Sequence, residues 1–344
     1  MKLQRIGLLS AVLAIAINLL AAPAALAQTE SETKAQIEKL KPKDFPTQPI
    51  EISVVYPAGG GMDINARFVS KYFDKWSGQK SIVNNRTGGA GIVGHTYLAT
   101  QAKNDGYSVG VIANFIFADS MLRAQGRWTY NDLEPIAYLN SDGLSLVVNS
   151  EGSYKDKSMK EMIELAKQKP NTIRISIVPG SMYEYMVDQL ELVTGAKFLK
   201  VPFQGGSPAL AALLGNSIDL SIAFYGEITS MLDAKKVVPV AVSSAERSPF
   251  LPNVPTLNET LNAKDVVWIA SRWVAVPKGI PADRKAYLVA AFTAAARDPE
   301  LQAEFKKLGT VPDTRIATPE QLTEHLNRLA GIEREFFVKT GRLK

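Results

Sequence analysis

From Pro49 onward, short apolar runs rich in β-branched residues alternate with amphipathic helical stretches, and no other feature constrains the fold as much. Ile50 to Tyr56 has the composition of a strand, and the stretch from Ile64 to Trp76 carries Ile64, Phe68 and Tyr72 at helical spacing. The pattern continues with strands at Ser81–Asn84, Ser108–Ala113, Arg174–Val178, Lys197–Pro202, Leu220–Phe224, Val237–Val242 and Val274–Val276. Helices are expected between them at Gly94–Lys103, Ser158–Lys169, Met182–Val193, Pro208–Leu214 and Pro281–Arg297, with a last one opening at Thr318-Pro319. Strands separated by helices of this length form mainly parallel sheets flanked by helices, so the expected fold is α/β.

A chain of 344 residues is about two domains long. Ile136 to Val148 is a long extended stretch broken at Ser141-Asp142-Gly143, and Val266 to Val276 is a second one. Both are candidate crossings between two domains. The expected division is 49–141 plus 268–344 for domain 1 and 142–267 for domain 2, with a ligand cleft between them. Residues 28–48 form a polar lead-in that can take up a loose helix.

Residues 1–27 have the layout of a secretory signal: Lys2 and Arg5, an apolar stretch from Ile6 to Leu20, and Ala25-Leu26-Ala27 at the cleavage site. The apolar run is shorter than the roughly 20 residues of a spanning helix. The expected product is exported to the periplasm. Removal of that segment takes two cations with it, so the formal charge of +5 falls to +3. No Lys/Arg stripe with interleaved aromatics is present, which argues against nucleic acid. With no cysteine and only His95 and His325, thiol chemistry is excluded, and neither a metal site nor a cofactor is expected.

Three strand-to-helix turns share one design: Pro57-Ala58-Gly59-Gly60-Gly61-Met62-Asp63, Pro179-Gly180-Ser181, and Gln204-Gly205-Gly206-Ser207-Pro208. Glycines permit tight backbone, and Asp63, Ser181 or Ser207 can cap the helix that follows. Ser181 with Glu184 has capping-box spacing. Asp63 is expected as a cap that stiffens its loop, because a carboxylate aimed at an anion would repel it. Free N–H groups at helix starts attract anions, and parallel sheets bind ligands beyond the carboxyl ends of their strands. Three such turns facing one cleft would make an anion site. Gly89-Ala90-Gly91-Ile92-Val93-Gly94 has dinucleotide-fingerprint spacing but follows the second strand, and a close-packed turn is the expectation. His95 and His325 lack a metal-spaced partner or a nucleophile elbow and are expected to be structural.

These turns also carry a resemblance. The chain resembles the periplasmic solute-binding proteins of tripartite tricarboxylate transporters, the Bug or tricarboxylate-binding receptors, from about Pro49 to Phe337. The matching segments, in order, are Tyr56 to Asp63, Asn85 to Gly94, Asp105-Gly106-Tyr107, Leu133 to Ala137, Val201 to Ala209, Ile218-Asp219-Leu220 and Ser248 to Thr256. The resemblance implies a two-domain periplasmic-binding-protein-like fold, no catalysis and an organic carboxylate as ligand. It implies that one ligand carboxylate is held by Ala58, Gly59, Gly60 and Gly61 together with Phe203, Gly205, Gly206 and Ser207. The far end of the ligand would meet Ser181 and the segment around Asn114.

Two departures stand out. Ser181 is followed by Met182-Tyr183-Glu184-Tyr185 where many relatives have a histidine shortly after Gly-Ser, and Ala223-Phe224-Tyr225 stands where relatives often carry an aspartate. Tyr183, Phe203 and Tyr225 are therefore expected to pack on an apolar or aromatic ligand body, with Arg272 a candidate charge partner. The resulting expectation is a monomeric receptor that hands a small organic anion to membrane permease subunits. The alternatives are a secreted hydrolase using Ser181 or Ser207, which would lack a visible general base, and a component delivering ligand to a sensor.

Overall fold

The computed structural model describes residues 30–56 and 58–344; the signal segment expected at 1–27, and Pro57, lie outside the described residues. The lead-in is a helix, α1, over 30–40, and Ile37 is buried in the core. Among the described residues every expected strand and helix is present, and helices over Phe115–Ala118, Tyr225–Asp233, Leu257–Leu261 and Pro299–Lys307 are additional.

The first half of the chain supplies β1 (Ile50–Val54), α2 (Gly61–Ser77), β2 (Ser81–Asn85), α3 (Ile92–Thr100), β3 (Ser108–Ala113) and the short α4 (Phe115–Ala118). β1 pairs in parallel with both β2 and β3. β4 then runs unbroken from Leu133 to Asn149. The break expected at Ser141-Asp142-Gly143 is absent, because those residues pair in register with Ser271, Ala270 and Ile269 of β9 (Ile269–Pro277). The ladder instead absorbs two irregularities earlier, at Pro135/Ala137 and Tyr138/Asn140.

The middle of the chain gives α5 (Met159–Gln168), β5 (Arg174–Ile177), α6 (Met182–Thr194), β6 (Leu199–Pro202), α7 (Gly206–Leu214), β7 (Ser221–Phe224), α8 (Tyr225–Asp233), β8 (Val237–Val242) and α9 (Leu257–Leu261). The capping box at α5 is present: the Ser158 hydroxyl accepts the Glu161 N–H, and Glu161 accepts the Ser158 N–H. After β9 come α10 (Ala282–Arg297), α11 (Pro299–Lys307) and α12 (Pro319–Lys339).

The main sheet has the order β2-β1-β3-β9-β4-β7, with β8 also on β4, and β5-β6 form a separate parallel pair. The main sheet is mixed rather than mainly parallel. The reason is the two long strands: β9 runs antiparallel to β3 and β4, and the second half of β4 runs antiparallel to β7 and β8. One half of β4 thus belongs to one side of the molecule and the other half to the other.

Helices cover both faces. α2 and α10 seal one face of the β1/β3 half, where Phe73 stacks on Phe292 at 4.3 Å. α3 and the first turns of α12 seal the opposite face around Trp273, Leu322 and Leu326. The other half packs α5 and α6 against Leu144, Leu146, Ile175 and Ile222, and α7 and α8 against Val147, Leu210 and Ile228. α12, about 30 Å long at 1.5 Å per residue, reaches both sides. Its Leu326 lies in one core, and Phe336 and Phe337 lie in the other. Among the described residues no helix is long and apolar enough to cross a membrane.

Candidate functional site

A cavity of about 970 Å³ lies where β4 and β9 pass between the halves, and all three glycine-bearing turns reach it. Its first wall is the turn before α2. Ala58, Gly59, Gly60 and Gly61 line it. Gly60, not Asp63, is the N-cap of α2, and Asp63 sits in the first turn of the helix. The stiffening role survives this shift of position. The buried Asp63 carboxylate accepts the Gly59 N–H at 2.9 Å, Asn85 Nδ2 at 3.0 Å and Arg67 Nε at 2.9 Å. Burial by itself would raise its pKa, but the bonds from Arg67, Gly59 and Asn85 outweigh that and hold it below the ordinary range.

A buried polar chain runs from this turn to the crossing strands. Asn65 Nδ2 donates to the Gly61 carbonyl at 2.7 Å, Asn140 Nδ2 donates to Asn65 Oδ1 at 2.7 Å, and Arg272 Nη1 donates to Asn140 Oδ1 at 3.2 Å. The same Nη1 pairs with Asp142 Oδ1 at 2.7 Å. Arg272 is therefore a cleft residue with a side chain 6% exposed, and its Nε–H has no partner among the described residues. Asp142 is pushed up by burial even though Arg272 pulls the other way.

The second wall comes from the turns before α6 and α7. Ser181 is the N-cap of α6: its Oγ accepts the Tyr183 N–H and donates to the Val178 carbonyl at 2.7 Å. The expected Ser181–Glu184 capping box does not form, because Glu184 instead accepts the Gly180 N–H at 2.7 Å. Gly205, not Ser207, precedes α7 as N-cap. Gly205 and Gly206 line the cavity, and a Cβ on Gly206 would fall 2.7 Å from the carboxylate at the flexible end of Glu227, which can give way. Burial raises the Glu227 pKa, against a bond from the Phe224 N–H at 2.8 Å and a longer one from the Tyr183 hydroxyl at 3.4 Å.

Of the residues expected at the site, Ala58, Gly59, Gly60, Gly61, Asn114, Ser181, Tyr183, Gly205, Gly206 and Arg272 line the cavity. Phe203, Ser207 and Tyr225 do not. Phe203, just past the end of β6, is partly buried and packs under its turn against the Val147–Leu210 core. Ser207 points to solvent from the first turn of α7. Tyr225 stacks on Phe250 at 4.8 Å, and its neighbours Phe224, Gly226 and Glu227 take the cleft positions instead. The aromatic lining is supplied by Tyr56, Phe115, Tyr183, Tyr185, Phe224 and Trp268. Asn65, Asp142, Glu227 and Glu333 escaped the sequence reading. Only the alternation of Asn140 and Asp142 on one face of β4 offered a signal for any of this polar group.

The remaining motifs are structural. The Gly89–Gly94 segment is a 3-10 turn over Gly89–Gly91 that runs into the first turn of α3, and a Cβ on Gly94 would meet Val55, just past β1, at 2.6 Å. His95 is buried with Nδ1 2.7 Å from Asp119. His325 Nε2 lies 3.3 Å from Ser271 Oγ, and burial lowers its pKa, but Ser271 is fully buried and reaches no cavity. Neither Ser181 nor Ser207 has an imidazole or carboxylate bonded to its hydroxyl among the described residues. No group of three or more histidine, aspartate or glutamate side chains there could hold a metal ion.

Comparison with known proteins agrees with this geometry. BugT of Bordetella pertussis is 28% identical over 301 residues, 85% of this chain and 90% of its own length. A Cupriavidus necator protein is 30% identical over 241 residues, 70% of this chain and 71% of its own. The structure of the periplasmic binding protein BugD superposes with a TM-score of 0.72 at 28% identity, covering 87% of this chain and all of BugD. Rpa4515 of R. palustris, solved with adipate, shares the fold at a TM-score of 0.72 and 22% identity, covering 87% of this chain and 99% of its own. The family model described as tripartite tricarboxylate transporter family receptor matches residues 65–323. The chain belongs to the tripartite tricarboxylate transporter family of receptors, which are periplasmic solute-binding proteins.

Proposed function

We propose that this protein captures a small organic carboxylate in the cleft between two domains, 49–141 plus 268–344 and 142–267, and delivers it to a membrane transporter. The observation that carries this reading is a cavity lined both by the buried Arg272 and by two glycine-rich turns at helix starts. Backbone N–H groups at the starts of α2 and α7 and one guanidinium suit a carboxylate, and they offer no chemistry for breaking bonds. The neighbours Rpa4515 and MatC, solved with adipate and malate, support an aliphatic acid as the first class to try. The aromatic lining favours a ligand with an apolar or ring-shaped body, since ring contacts add about 0.5–1.5 kcal/mol beyond burial. The paired crossing strands provide a hinge about which the halves can close. The segment 1–27 serves export, and the receptor acts in the periplasm without catalysing a reaction.

The test is a thermal-shift panel of mono-, di- and tricarboxylates, followed by calorimetry and recovery of the ligand. One acid bound tightly and recovered unchanged supports the receptor, and its conversion overturns it. Gly61→Val sharpens the test, because a Cβ at Gly61 meets no protein atom within 4 Å and points into space a ligand would fill. Loss of at least tenfold in affinity with unchanged folding is expected.

A further inference from the structure

Glu333 lies on α12 midway between the residues that anchor this helix in the two cores. It is 8% exposed and lines the cleft beside Asn114, Phe115, Tyr185 and Trp268. Its Oε1 accepts Asn114 Nδ2 at 2.8 Å, and Asn114 is fixed in that orientation because its own oxygen accepts the Ser271 N–H at 2.9 Å. No other hydrogen bond to the carboxyl occurs among the described residues, and Oε2 is left for the cavity.

The charges around Glu333 are engaged elsewhere. On β4 and β9, Asp142 is held by Arg272. Beyond α4, Asp119 is held by Arg123 and His95. On α6 the Tyr185 hydroxyl donates to the Gly180 carbonyl. On β4 the Tyr138 hydroxyl meets Ser271, which His325 of α12 also faces. On α12 itself Glu335 pairs with Lys339, and Arg334 points to solvent. A carboxylate buried without a cation is strongly disfavoured, and the group keeps its proton instead.

We propose that Glu333 is a ligand-contacting residue: a neutral carboxylic acid whose O–H hydrogen-bonds an acceptor oxygen of the bound anion. This rests on the receptor reading above and adds to it the ligand class. The preferred ligand carries, beyond the carboxylate on the glycine turns, a second carboxylate or carbonyl oxygen that reaches α12, and no ammonium group there. Burial, opposed only by the Asn114 bond, pushes the Glu333 carboxyl up to about 8. Below that pH the donor is present. Above it the ligand must bring a proton with it or face a like charge, so affinity falls as pH rises.

The test is calorimetry of a panel of mono-, di- and tricarboxylates, adipate and malate among them, from pH 6.5 to 9.5. It is run on the wild-type protein and on Glu333→Gln, which keeps a neutral donor, and Glu333→Met, which removes it. Carbon-13 NMR of labelled glutamate reads the protonation of Glu333 in the free protein. The expected results are a protonated signal at neutral pH and a wild-type affinity that drops up to tenfold per pH unit above about 8. Gln should show no such dependence, and Met should bind at least tenfold more weakly than Gln at neutral pH. A wild-type affinity that is flat with pH, or rises with it, overturns the inference, as does an ionised Glu333 at neutral pH. Absence of binding by every acid in the panel overturns the receptor reading itself and this inference with it.

Discussion

The two glycine-rich turns that reach the cleft from opposite sides look alike in sequence and differ in the acid behind each. Behind Gly59–Gly61, Asp63 is buried, takes three hydrogen bonds and has an arginine beside it, so its charge is neutralised within the turn. Behind Gly205–Gly206, Glu227 comes from the next strand-to-helix junction, has no cation on it among the described residues and lies open to the cleft. The first turn offers an anion a neutralised background and the second does not. A glycine turn at a helix start is thus only half of an anion site. The other half is what the surrounding fold does with nearby carboxylates.

Glu333 carries the situation of Glu227 to its limit, and the largest effect is expected there. Its folded-state pKa of about 8 stands above the ordinary glutamate value of 4.5, so the unfolded chain gives up its proton first as pH rises. Stability is therefore fully present below pH 4.5 and is lost progressively until about pH 8. The loss relative to Glu333→Gln runs at up to about 1.4 kcal/mol per pH unit. Urea unfolding of both proteins at pH 5 and pH 8 measures it, and parallel behaviour would remove the contrast between lone and paired acids.

Truncation of the paired acid comes next. Asp63→Ala removes the acceptor of the Gly59 N–H, one of the two acceptors of the Asn85 amide and the partner of Arg67, and a loss of about 2–3 kcal/mol is expected in urea unfolding. Glu227→Ala removes one capping bond at an exposed position and should lose less than about 1 kcal/mol. Equal losses would break the comparison.

The two acids should also respond to pH with opposite sign. Asp63 is depressed, so its contribution is present above the ordinary aspartate range and disappears as pH falls through its lower folded value. Glu227 is raised, so wild type loses stability relative to Glu227→Gln as pH rises above 4.5. Melting temperatures of Asp63→Asn and Glu227→Gln across pH 3 to 7 read both signs. The smallest effect belongs to Gly206→Ala, which presses on the flexible end of Glu227 and should change stability by under about 0.5 kcal/mol. Pairing it with Glu227→Ala should abolish that small penalty in a double-mutant cycle.

Much of the fold was legible because hydrophobic period and caps act locally. The helix at Ser158–Lys169 and the strand at Ser108–Ala113 were expected within a residue or two of their observed ends. The break expected in β4 was not found, because Ser141-Asp142-Gly143 reads locally as a turn while β9 holds it straight from across the sheet. At the site, the turns were legible and the side chains behind them were not. Tyr225 and Glu227 are two residues apart, and which one reaches the cleft depends on Phe250, a residue 25 positions away that stacks on the tyrosine.

The sequence alone thus determined the order of the strands and of the longest helices, the glycine turns at their junctions and the absence of thiol chemistry. Each follows from residues within a few positions of one another or from composition. Tertiary structure decided what the cleft presents: Arg272 tied to Asp142 with one donor left over, Asp63 neutralised within its turn, and Glu333 buried beside a single amide. The charge state of a carboxyl is set by what solvates it, and that is fixed only when distant parts of the chain close around it.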